Sequence, residues 1–178
     1  MLTPVGWQDM EDLVSLKGDP GVYGMMLGGV MGRTRVADEL AADTFAWPRY
    51  GVGMWIVRDL TGAGTGTGPG PGKGTAIGLT GIQDRADGRG MGLRFAFRPG
   101  VRGRGLAREA AGAALRFGHD RARLVRIIAV AREDNLSSRT VLGGIGMRQC
   151  DTFVRDGLTL LVFESVITGR AGSVTAQA

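Results

Sequence analysis

The segment Met91 to His119 reads MGLRFAFRPGVRGRGLAREAAGAALRFGH, and its hydrophobic period changes in the middle. Leu93-Arg94-Phe95-Ala96-Phe97 alternates large apolar residues with others, which predicts a half-buried strand, and Pro99-Gly100 ends it. From Leu106 the apolar positions Leu106, Ala110, Ala113, Ala114 and Phe117 share one face of a helix. Between strand and helix lies Arg102-Gly103-Arg104-Gly105-Leu106-Ala107. A glycine turn that opens a helix presents unpaired backbone N–H groups at the positive end of the helix dipole, where a phosphate binds. Arg102 and Arg104 add charge. The segment therefore predicts a pyrophosphate site, against the plainer reading of a soft turn with solvated arginines.

Spacing chooses among phosphate loops. A dinucleotide fingerprint needs a third glycine where Arg108 stands, and no Gly-Lys-Ser/Thr follows to make a P-loop. The pattern that fits is R-x-x-G-x-A, from Arg102 through Gly105 to Ala107.

Composition bounds the rest. A chain of 178 residues with 43% hydrophobic residues suits one domain with a full core. No apolar run approaches the roughly 20 residues of a membrane helix, and Met1-Leu2-Thr3-Pro4 has no basic start before an apolar stretch. A cytoplasmic location and no membrane partner are the expectations. One cysteine, Cys150, and one histidine, His119, leave neither an internal disulfide nor a Cys/His metal cluster, so no metal is expected. The net charge of +5 is carried almost wholly by arginine, which suits phosphate. The arginines are dispersed rather than run together, which argues against nucleic acid as partner.

Along the chain, Leu2 to Val5 predicts an edge strand and Trp7 to Lys17 a helix with acids early, as the dipole prefers. Asp19-Pro20-Gly21 breaks that helix, and the methionine- and glycine-rich Val22 to Gly32 predicts a mobile loop or frayed helix. Thr34 to Trp47 predicts a helix packed through Val36, Leu40 and Phe45, with Asp38, Glu39 and Asp43 on its charged face; a solvated face is the leading reading of these acids, with Glu39 and Asp43 attracting a cationic acceptor as the alternative. Val52 to Arg58 and Thr75 to Ile82 read as antiparallel strands joined by a flexible Gly-rich connection, residues 60–74. Arg123 to Arg132 has the apolar run of an interior strand. Asn135 or Asp134 then caps a helix closed by Gly146. Arg148 to Val154 and Leu158 to Val166 form a hairpin through Asp156-Gly157. Residues 1–167 make one domain, and 168–178 a flexible tail.

Two motifs together carry a family resemblance. The strand, R-x-x-G-x-A loop and Ala-rich helix resemble the acetyl-CoA pyrophosphate loop of the GNAT family of N-acetyltransferases. Downstream, Asn135-Leu136-Ser137-Ser138-Arg139 followed by Val141-Leu142 and Gly146-Met147 resembles the branch of ribosomal-protein alanine and serine N-acetyltransferases. The resemblance implies an α/β fold: a mixed, mostly antiparallel sheet of six to seven strands, about four flanking helices, and a wedge between the two central strands. It implies acetyl-CoA as co-substrate, with the backbone of Phe95, Ala96, Phe97 and Arg98 holding pantetheine as an added strand. The loop Arg102, Gly103, Arg104, Gly105, Leu106 and Ala107 would hold pyrophosphate, and Asn135, Ser138 and Arg139 would meet the pantetheine arm. Ser138, or else Ser137 or Thr140, would protonate the leaving thiolate.

Relatives often carry Glu early in the central strand as general base, where this chain has Gly92. Asp84, Asp87 and Glu164 are the substitutes in view. An α-amine, with pKa about 7.7–8.0, needs less help than a lysine near 10.4, so a peptide N-terminus is the leading acceptor. A small amine such as an aminoglycoside or polyamine, or a catalytically weak acetyl-CoA-binding protein, stands as the alternative. The Met25 to Met31 segment would border the acceptor side, and the family implies a homodimer.

Overall fold

The computed structural model describes residues 1–61 and 74–167. The expectations for the Gly-rich connection and the C-terminal tail lie largely or wholly outside the described residues. Seven strands form one sheet: β1 (Leu2–Pro4), β2 (Met54–Asp59), β3 (Thr75–Asp84), β4 (Met91–Phe97), β5 (Arg126–Arg132), β6 (Arg148–Arg155) and β7 (Leu158–Val166). Their spatial order is β1-β2-β3-β4-β5-β7-β6. Every neighbouring pair is antiparallel except β4 and β5, which run parallel and share the single registered pair Gly92↔Ile128. Beyond that pair the two central strands part, which opens the expected wedge.

The five helices are α1 (Met10–Lys17), α2 (Pro20–Tyr23), α3 (Arg33–Tyr50), α4 (Leu106–Asp120) and α5 (Leu136–Gly144). Leu13, Leu16, Val36 and Leu40 from α1 and α3 pack with Ile56, Leu79 and Ala96 of the sheet. Ala111, Ala114 and Leu115 of α4 and Leu142 of α5 pack with Ile82, Leu93, Ile127 and Leu161. A buried ion pair joins sheet to helix layer, since Arg58 of β2 meets Asp9 at 2.7 Å and Asp12 at 2.6 Å. The lone histidine is also structural: His119 lies between Leu124 O and Ser165 Oγ at 2.6 and 2.9 Å.

Three local expectations need correction. Asp19-Pro20-Gly21 ends α1 but also starts a helix. The Asp19 carboxylate accepts from Gly21 N at 2.8 Å, and proline suits the first helical position. The methionine segment is anchored through buried Val22, Tyr23 and Met31. In α3 the inward stripe runs through Val36, Leu40 and Asp43 to half-buried Trp47, while Phe45 is 73% exposed. Spacing of four, three and four follows the helical period, and it carries an acid into the protein where apolarity alone pointed to Phe45. The helix also runs past Trp47 through Pro48 to Tyr50 before Gly51 (φ 67°) caps it.

Candidate active site

Each wall of the wedge is built from a strand end and the helix that follows it. On the first wall, β4 gives way to a turn in which Gly103 and Gly105 have φ of 78° and 77°. L-residues avoid this region, and glycine enters it freely. No atom lies within 4 Å of where a Cβ would stand at either position, so the loop faces open space. The first bond of α4 runs from Glu109 N to Gly105 O at 3.0 Å. The N–H groups of Leu106, Ala107 and Arg108 therefore precede the intrahelical ladder, and the loop fits a pyrophosphate.

Arg102 and Arg104 serve different ends. The Arg102 guanidinium donates to Gly21 O of α2 and to Phe97 O at 3.1 Å, so it ties the loop to the opposite helix layer. Arg104 is exposed at the loop. Arg98 turns away from the loop: its side chain donates to Ala76 O at 3.1 Å and Ser15 Oγ at 2.8 Å and lies 3.7 Å from Asp19. Leu106 and Ala107 pack against the Phe97–Ala110 cluster, fixing the start of α4.

The backbone ladder narrows the four-residue strand edge. Arg98 N donates to Ile77 O of β3 at 2.9 Å, and Phe97 pairs with Gly78 in the same register. Backbone groups alternate sides along an antiparallel strand. The amides of Arg98 and Ala96 thus face β3, whereas those of Phe95 and Phe97 face the wedge. Phe97 O accepts from Arg102, and of the two residues only Phe95 lines the cavity, so its N–H is the donor beside the opening.

The second wall is β5 and the start of α5. Asn135 Oδ1 accepts from Ser138 N at 3.1 Å, the N-cap geometry expected of it. Asn135 and Ser138 line the same cavity as Phe95, Ala129, Val130 and Ala131, with Met25, Met26 and Leu27 as a third, apolar side. The Thr140 hydroxyl is bonded to Leu136 O at 2.9 Å, and Ser137 is exposed and does not line the cavity. Arg139 donates to Glu133 O at 2.9 Å, bracing the loop before α5 and remaining outside the cavity lining.

A Cβ at Gly92 would stand 2.8 Å from Cγ and Cδ of Arg85, so an arginine stem covers the position where relatives often carry Glu. The substitutes named for that Glu are engaged elsewhere or exposed. Arg85 Nε grips Asp87 at 3.0 Å, and this hydrogen bond outweighs partial burial to hold the Asp87 carboxyl below its ordinary range. Glu164 pairs with Arg126 at 2.8 Å. Asp84 is exposed. None of the three lines the wedge.

A buried polar chain runs behind the cavity and reaches it at Arg94, and residue types alone did not reveal it. Lys17, 3% exposed at its side chain, pairs with Glu39 at 2.8 Å and lies 4.0 Å from Asp43. Asp43 accepts a short hydrogen bond from Gln83 Nε2, and Gln83 Oε1 accepts from Arg94 Nη1 at 2.8 Å. Burial, opposed by Lys17, pushes the Asp43 carboxyl up to about 6. Glu39 loses stabilisation on burial too, but Lys17 prevails and holds it below the ordinary value. Tyr23 is raised by burial. The one sequence signal for this chain was Asp43 falling on the inward stripe of α3. Among the described residues no group of three His, Cys, Asp or Glu side chains is placed to hold a metal, and no helix is long and apolar enough to cross a membrane.

A seven-stranded sheet split at one parallel pair, with a glycine loop opening a helix beside the split, defines an acyl-transferase class of fold. The chain belongs to the GNAT acetyltransferase domain family, whose profile matches residues 1–148. No curated protein matches it by sequence. Among solved structures it resembles a GNAT-family acetyltransferase from Bordetella pertussis, with 22% identity over 92% of this chain and 93% of the other and a TM-score of 0.74. A ribosomal α-N-protein acetyltransferase in complex with coenzyme A has 11% identity over 93% of each chain and a TM-score of 0.70. A spermidine N-acetyltransferase from Vibrio cholerae has 13% identity over 93% and 94% of the two chains and a TM-score of 0.66. At these identities the likeness is one of fold, and these neighbours span both protein and polyamine acceptors.

Proposed function

We propose that the protein is an acetyl-CoA-dependent N-acetyltransferase whose acceptor is an α-amine, foremost a peptide N-terminus, attacking directly in a ternary complex. The observation that carries this reading is the wedge itself, where Phe95 of β4 and Asn135 and Ser138 of the second wall line one cavity, and the same strand β4 runs on into the open Gly103–Ala107 turn at the start of α4. Acetyl-CoA supplies the acetyl group as a thioester. The N–H groups at Gly103 to Ala107 would hold the pyrophosphate in the helix dipole, and the free edge of β4 would take the pantetheine arm as an added strand. The Phe95 N–H would stabilise negative charge on the thioester oxygen as the amine attacks, which a fixed donor does without reorganisation. Ser138 is the hydroxyl of α5 that lines the cavity with its oxygen free of the helix backbone, and it would relay to the departing sulfur the proton that the attacking nitrogen loses, ending as the neutral hydroxyl again.

With Arg85 over Gly92 and no carboxylate on the cavity wall, the reaction favours an amine already largely neutral near pH 8. A small-molecule amine is the second reading, supported by the spermidine acetyltransferase among the fold neighbours. The test is thiol release from acetyl-CoA at pH 8 with three acceptor sets: peptides with free Ala or Ser N-termini, the same peptides with blocked N-termini and a lysine, and spermidine. Release confined to free N-termini is expected. Release confined to spermidine would replace the peptide reading, and none from any acceptor despite acetyl-CoA binding would leave a catalytically weak acetyl-CoA-binding protein.

A further inference from the structure

The acceptor side of the wedge is lined by Arg85, Arg94 and Arg132 and by no Asp or Glu. Two of these guanidinium groups are neutralised locally, Arg85 by Asp87 and Arg132 by Asp134 at 2.5 Å. Arg94 differs. Glu39 and Asp43 feel its charge from the helix layer behind it, but no carboxylate among the described residues lies within 4.0 Å of it, and its hydrogen-bond acceptor is the neutral Gln83 Oε1 at 2.8 Å. A guanidinium carries five N–H donors, so most of the fork is left for something else.

The fork is also aimed. Gln83 gives its amide N–H to Asp43 and its oxygen to Arg94, which fixes the amide's orientation, and Asp43 is buried beside Lys17. On β4, Gly92, Arg94 and Ala96 share the face turned to α1 and α3, and Gln83 stands opposite Gly92 in the register. The immobilised guanidinium therefore lies on the acceptor side, two residues from the position left without a side chain. A pre-organised fork pairs with carboxylate bidentately, and little side-chain freedom remains to be lost.

We infer that Arg94 is an anion subsite for the acceptor, which carries a carboxylate a few bonds from the amine that is acetylated. The inference rests on the acetyl-transfer reading above and narrows it. An acidic residue next to a peptide N-terminus and the α-carboxylate of an amino acid present this same chemistry. A polyamine does not, and it would meet the Arg94 guanidinium with no carboxylate on the cavity lining to pair with its own charge.

The experiment measures kcat/KM for matched acceptors with the full chain: Ala-Asp against Ala-Asn peptides, alanine against alaninamide, and spermidine. Each is run with the wild type, Arg94→Gln and Arg94→Lys. Acetyl-CoA affinity by calorimetry and the thermal midpoint are recorded alongside. A carboxylate preference of about 10- to 100-fold is expected, the worth of a hydrogen bond to a charged group. Arg94→Gln should abolish it and Arg94→Lys should keep part of it, with acetyl-CoA affinity unchanged. The pair that shows the preference identifies whether the carboxylate comes from a peptide or a free amino acid. Equal use of carboxylates and carboxamides, best turnover with spermidine, or a preference that survives Arg94→Gln would overturn the proposal while acetyl transfer stands. Absence of thiol release from every acceptor would overturn both readings.

Discussion

The buried carboxylate of Asp43 makes a prediction about stability that is independent of catalysis. Its pKa is raised from 3.8 to about 6 by burial, which Lys17 only partly offsets. A raised carboxyl binds its proton more tightly in the folded than in the unfolded chain, so the fold loses stability as pH climbs from about 4 to about 6. At about 1.4 kcal/mol per pH unit, the ionised Asp43 costs about 1 kcal/mol at pH 4.5 and about 3 kcal/mol at pH 8. Asp43→Asn keeps an oxygen for Gln83 Nε2 and leaves Lys17 its partner Glu39 at 2.8 Å, so it removes chiefly the charge. Urea unfolding followed by the fluorescence of Trp7, Trp47 and Trp55, from pH 4.5 to 8, should show the variant gaining on the wild type by about 2 kcal/mol across that range. Curves that run parallel would refute the assignment. A variant that falls behind as pH rises would mean that Asp43 is held charged by Lys17, with its pKa lowered rather than raised.

Three substitutions test the two walls of the wedge. Gly105→Ala forces an L-residue to φ near 77° and should cost about 1–2 kcal/mol; a Cβ in the open loop should also weaken acetyl-CoA about tenfold or more, and unchanged affinity by calorimetry would remove the loop from the pyrophosphate site. Asn135→Ala should lose about 1 kcal/mol of cap energy, whereas Asn135→Ser should restore the stability. If acetyl-CoA affinity recovers fully with Ser as well, Asn135 is a cap and nothing more. Ser138→Ala should lower kcat about 100-fold, with acetyl-CoA affinity within a few-fold; a kcat near wild type would show that the thiolate takes its proton from elsewhere.

Much of the fold was written in local pattern. Period-two alternation at Leu93 to Phe97, the switch to helical spacing at Leu106, and the turn residues Asp156-Gly157 all depend on contacts between near neighbours. For that reason β4, α4 and the β6–β7 hairpin were legible. Asn135 as a cap is equally local. The glycines of the turn before α4 were legible because a positive φ restricts the choice of residue at Gly103 and Gly105.

Other features depended on which elements meet in space. Spacing put Asp43 on a helix, but only the approach of α1 and β3 brought Lys17 and Gln83 to it and made the inward position tolerable. Phe45, apolar in pattern, stays outside because no element packs over it. The free edge of β4 narrowed to Phe95 and Phe97 because the β3–β4 register decides which amides are consumed. Arg94 read as an ordinary polar position in an alternating strand. Its aim into the wedge, and the cover that Arg85 gives Gly92, arise from side chains that meet across the β3–β4 hairpin, whose register residue types alone do not state. Sequence alone determined the family architecture and the glycine turn that opens α4, because both are built from short-range backbone preferences. The tertiary structure decided the charge and shape of the acceptor side, because those are sums over residues that only folding brings together.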